Sequence, residues 1–96
     1  METRKLTPQY GPLVAGKRYR VAQTFTDYDG IERREGEVWT FLGSSFLPYE
    51  SGLSLFFTIG GKTEQVRLQA IEEEQLYITN NLPAWFVEHK SRWRLW

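Results

Sequence analysis

The residues best equipped for chemistry crowd into one short stretch. Asp27, Asp29 and Glu32 form the pattern D-x-D-G-x-E around Gly30. Carboxylates at that spacing suggest a calcium loop, in which oxygen ligands recur along a tight turn. A full loop needs further oxygens and a terminal bidentate Glu, and Arg33 and Arg34 fall where more ligands would help. Asp29-Gly30 is therefore read as a turn pair, with Gly supplying positive φ and Asp bonding nearby backbone. No metal and no cofactor is expected.

Glu35 and Glu37 lie one strand pleat apart and are the right type for acid–base work. A catalytic pair needs a cleft and pKa values pushed apart, so the plainer reading is solvated loop charge. The single histidine, His89, has no serine or cysteine motif to serve and falls near a predicted helix end, where its charge is favourable. Cysteine is absent, which removes disulfides and thiolate zinc sites. An enzyme is not expected.

Two binding surfaces remain. Tyr28, Asp29, Glu32, Tyr49 and Glu50 lie on two long loops that a small barrel brings towards one rim. Tyrosine offers a flat anchor at low entropic cost, and carboxylates beside it select a cationic or amide-rich partner. A protein partner is the leading expectation; the competing one has Tyr28 and Tyr49 plugging the barrel end. The alternative is nucleic acid. Arg92-Trp93-Arg94-Leu95-Trp96 interleaves bases with aromatics, and Lys17, Arg18 and Arg20 add charge near the other end. Twelve basic residues balance twelve acidic ones, so no whole-protein field favours that partner.

The elements that must position these residues are read from alternation. Residues 1–16 hold Pro8, Gly11, Pro12 and Gly16 without a period and read as an arm, anchored by Tyr10, Leu13 and Val14. Residues 17–25 read as a half-buried strand with Tyr19, Val21 and Phe25 inward, and Gln23 marks a bend or an edge. The loop 26–36 leads into a strand over 37–43. Val38 and Leu42 point to one side there and Trp39 and Phe41 to the other, so this strand is expected to be covered on both faces. Residues 44–52 read as a second excursion.

Residues 53–59 and 65–70 alternate about Gly60-Gly61, the clearest hairpin in the chain. After Glu72-Glu73-Glu74 comes a short strand over 75–79. Asn80-Asn81-Leu82-Pro83 then opens a helix over 82–90, with Leu82, Trp85, Phe86 and His89 on one face. The expected fold is mainly β: a small SH3-like antiparallel barrel of five to six strands over residues 17–96, with a short C-terminal helix.

In the order of these elements the chain resembles SH3-like barrels. F-T-D-Y-D and G-E-V-W-T-F-L-G sit where such barrels place a long acidic loop and second strand, and N-N-L-P-A-W-F where they place a short helical turn. More narrowly, F-T-D-Y-D-G, G-E-x-W-x-F-L-G and F-L-P-Y-E-x-G-L in succession resemble a family of small bacterial domains of unknown function, over roughly residues 17–59. The tryptophan after the second variable loop and the closing P-S-N-Y of signalling SH3 domains are absent, so a proline-rich-peptide groove is not implied.

Ninety-six residues make one domain, whose stability of roughly 5–15 kcal/mol must come from apolar contacts. No apolar run approaches the ~20 residues that span a bilayer, and the first residues lack the apolar core of a secretory signal. A cytoplasmic setting is the expectation.

Overall fold

Alternation builds one large sheet, and a set of short segments closes over one of its faces. The computed structural model describes residues 6–47 and 51–90. Strand β1 (Gln9–Tyr10) pairs with β2 (Leu13–Val14) as a small hairpin. Next come β3 (Arg18–Val21), β4 (Phe25–Thr26), β5 (Glu32–Arg33), β6 (Val38–Leu47), β7 (Gly52–Ile59) and β8 (Lys62–Gln69). A single α-helical turn, α1 (Leu76–Thr79), a 3-10 turn over Leu82–Ala84 and β9 (Phe86–Glu88) complete the described chain. The main sheet is antiparallel in the order β8-β7-β6-β3-β9, while β4 and β5 form a separate ribbon.

The core lies on one side of this sheet. Tyr19, Val21, Trp39, Phe41, Leu53, Leu55, Phe57, Val66, Leu68 and Phe86 point into it from successive strands, as a period of two requires. Leu13, Phe25, Ile78 and Leu82 close it from the hairpin, the ribbon and the two short turns. The rings meet edge-on or stacked: Trp39 lies 5.0 Å from Phe57, and Phe57 stacks 5.5 Å from Phe86. The buried Tyr19 hydroxyl accepts from the Val14 amide at 2.8 Å and donates to the Pro12 carbonyl at 3.1 Å, which ties the first hairpin to the sheet.

Several expectations are corrected. The strand around Trp39 is covered on one face only, because no second layer is present among the described residues and Val38 remains 37% exposed. No strand pairing joins β8 to β9 among the described residues, so the sheet is open and not closed into a barrel. The excursion over 44–52 is shorter than its composition implies, since β6 runs on to Leu47. Leu42 is an extra residue between the pairs Phe41↔Phe57 and Gly43↔Phe56, a β-bulge that reverses the in–out alternation and hides the continuing strand.

The order of the last elements is exchanged. Residues 75–79 form a helical turn because Gln75 already occupies the edge of β8. Its amide donates to the Gln69 carbonyl at 2.9 Å, and its side-chain oxygen accepts from the Gln69 amide at 2.8 Å. The helix expected over 82–90 stops after one 3-10 turn, and Asn81 makes no side-chain cap bond. Phe86, Val87 and Glu88 pair instead with Val21, Arg20 and Tyr19, satisfying the backbone groups of β3 that a helix would leave unpaired. Gln23 does mark a bend, where the chain leaves the main sheet for β4.

Candidate functional site

The loop between β4 and β5 is built around a buried carboxylate. Oδ1 of Asp27 accepts from the amides of Asp29 and Ile31 at 3.0 and 2.9 Å, the local bonding that holds an Asp-led turn closed. Oδ2 accepts from Nε and Nη2 of Arg33 at 3.0 and 2.9 Å, a two-point contact in which both partners are buried. Arg33 also reaches Glu64 on β8 at 2.9 Å, and its guanidinium lies 5.8 Å from the Trp39 ring. Asp27 is thus consumed in joining loop to sheet and presents no free oxygen to a metal or substrate.

The remaining chemistry-bearing residues are dispersed. Glu37 accepts from the Trp39 indole N–H at 2.9 Å, while Glu35 lies exposed on the turn, its amide donating to the Thr24 hydroxyl at 2.9 Å. His89 is exposed and its amide donates to the Arg18 carbonyl. Among the described residues no three His, Asp or Glu side chains gather as a metal site.

The locked turn pushes Tyr28 outward. Its amide donates to the Arg67 carbonyl at 2.8 Å, and its ring, 45% exposed, lies 5.4 Å from the Arg67 guanidinium carbon. Asp29 meets the same guanidinium at 3.3 Å. Tyr28 is therefore a surface residue and not a plug. Glu32 stands apart, exposed and 3.5 Å from Arg34. Tyr49 and Glu50 lie outside the described residues, as do Arg92 and Arg94.

Beside Tyr28 opens a cleft of about 870 Å³, bounded chiefly by Leu6, Tyr28, Leu47, Phe56, Gln65 and Arg67. Cross-strand register assembles its floor. Ser45, Ser54 and Arg67 stand in one row across β6, β7 and β8, with Phe56 and Gln65 in the next. Gln65 donates to the Ser54 hydroxyl at 2.8 Å. Leu6, Leu47 and Phe56 supply apolar surface and Ser54, Gln65 and Arg67 converge as polar groups, a mixture and a volume usual for a ligand site.

The same fold exists in a solved structure. The integron cassette protein VCH_CASS4, from the mobile metagenome of Vibrio cholerae, matches with a TM-score of 0.86 and 44% identity, over 88% of this chain and 93% of its own. This chain belongs to the VCH_CASS4 family. No family model matches the sequence, and no curated protein does.

In this member of the VCH_CASS4 family, the cleft is lined by Tyr28 of the expected rim set, with Asp29 beside it on Arg67, and by Arg67, Phe56, Leu6 and Leu47, which the sequence did not single out. One signal was available. Phe56 is an aromatic on the otherwise polar row of its strand, between Ser54 and Thr58, where the core makes no demand for it. No helix among the described residues is long and apolar enough to cross a membrane.

Proposed function

We propose that the protein is a non-catalytic interaction domain that binds a segment of a partner protein in the cleft between Tyr28 and Phe56. The observation that carries this reading is the cleft itself: about 870 Å³, with apolar side chains from Leu6, Leu47 and Phe56 set beside hydroxyl, amide and guanidinium groups. A peptide needs that mixture, apolar pockets for its side chains and hydrogen-bonding groups for its backbone. An exposed tyrosine at the rim is a typical anchor for such contacts. Kinship with a protein of a mobile metagenome supports an accessory role.

Selection from a random peptide library on the immobilised domain tests the reading. Peptides should be enriched whose binding is lost with Tyr28→Ala, a variant that keeps the native circular dichroism. Enriched peptides that bind Tyr28→Ala as well as the parent protein would contradict it.

Nucleic-acid binding is the second reading. Arg18 and Arg20 are exposed one pleat apart on β3, on the sheet face that the core leaves open. Oligonucleotide affinity should then fall steeply with salt. No binding to single-stranded or duplex oligonucleotides at low salt would dispose of it.

A further inference from the structure

The charges around the cleft reverse what the loop sequence implies about its ligand; this inference rests on the peptide-site reading above. Three carboxylates of this segment already face arginines: Asp27 meets Arg33 at 2.9 Å, Asp29 meets Arg67 at 3.3 Å and Glu32 meets Arg34 at 3.5 Å. They are poorly placed to recruit a cationic partner. Among the described residues lining the cleft, Arg67 carries the only charge.

A guanidinium offers five N–H donors in a rigid fork. Arg67 engages one Asp29 oxygen from Nη2 and lies 5.4 Å from the Tyr28 ring, and no other side chain among the described residues holds it. Both members of the pair are exposed, at 46% and 41%. An exposed single-contact pair contributes little net stability, whereas a carboxylate taken by both arms of the fork is held more strongly. The Tyr28 ring favours the cation and limits its orientation.

We propose that Arg67 is a carboxylate-binding residue and that Asp29 is its built-in competitor. The cleft takes an extended segment of a partner protein in which an Asp or Glu side chain is flanked by apolar residues. The partner's carboxylate replaces Asp29 on the Arg67 fork, its apolar neighbours lie against Phe56 and Leu47, and Gln65 and Ser54 meet its backbone. Asp29 itself shows that a side-chain carboxylate reaches the guanidinium from the Tyr28 side.

The test uses the library-selected peptides on the whole folded protein and three variants, Arg67→Gln, Arg67→Lys and Asp29→Asn, all at exposed side chains. Selected peptides should be rich in Asp and Glu. Arg67→Gln should weaken them roughly tenfold or more, with Arg67→Lys between that and the parent. Asp29→Asn should tighten binding several-fold, since the competitor is gone, and added salt should weaken it.

Asp29→Asn weakening the complex would overturn the inference, because Asp29 would then be contacting a cation of the partner. Peptides that need Tyr28 yet ignore Arg67→Gln would also overturn it, while leaving the peptide-site reading in place. Binding that depends on a free C-terminus and is lost on amidation overturns the assignment to a side-chain carboxylate. A library with no Tyr28-dependent binder overturns both.

Discussion

Asp27 holds two backbone amides with one oxygen and two guanidinium nitrogens with the other. Removing its charge strands Arg33 in a buried position with Glu64 as its remaining ionic partner. Asp27→Asn should therefore cost about 3–5 kcal/mol in urea unfolding, the usual cost of breaking a buried pair from one side. A loss below about 1 kcal/mol would mean that solvent reaches this pair. Trp39→Ala should cost a similar ~3–5 kcal/mol, because its ring contacts Phe57 and Phe86 at the middle of the core. Tyr28→Ala should stay within about 0.5 kcal/mol of the parent. At this scale the chain was readable where apolar residues alternate: Trp39 stands out as core from its neighbours alone. Asp27 did not declare its role, since the arginine it holds and the glutamate beyond are matched only once the β4–β5 ribbon folds back and Arg33 reaches Glu64 on β8.

The elements are governed by the bulge at Leu42 and Gly43. A Cβ on Gly43 would lie 2.7 Å from the Leu6 Cβ, so the glycine allows the N-terminal segment to dock. Gly43→Ala should cost about 1–3 kcal/mol as an overpacked site. Hydrogen exchange should quicken at Thr7 and Ser44, whose amides and carbonyls bond each other at 2.8 and 2.9 Å. Unchanged exchange there would remove Gly43 from that role. Val38→Thr, on the open face, should change stability by less than about 0.5 kcal/mol. A loss of several times that would show a covering layer. The strands β7 and β8 were legible because Gly60 and Gly61, both with positive φ, make the two-residue turn that fits their twist. The segment 75–90 misled because local pattern favours a strand and then a helix there. Pairing with β3 and the Gln75 contacts to β8 outweigh that pattern.

For the molecule as a whole, the one-sided core and the cleft are linked. The sheet turns its apolar rows towards the hairpin, ribbon and short turns, and leaves Ser54, Phe56, Gln65 and Arg67 facing outward. Leu6, Tyr28, Leu47 and Arg67 come from four separate segments, so no local motif could announce the site. Three of the five expected rim residues fall within the described residues, and two of them, Tyr28 and Asp29, are organised by an arginine that the loop sequence does not contain. Titration of the 15N-labelled domain with a selected acidic peptide tests this arrangement most directly. Amide shifts should change at Tyr28, Ser54, Phe56, Gln65 and Arg67 while those of Arg18, Arg20 and Val87 stay still. Shifts concentrated on Arg18 and Arg20, with the cleft residues silent, would contradict it.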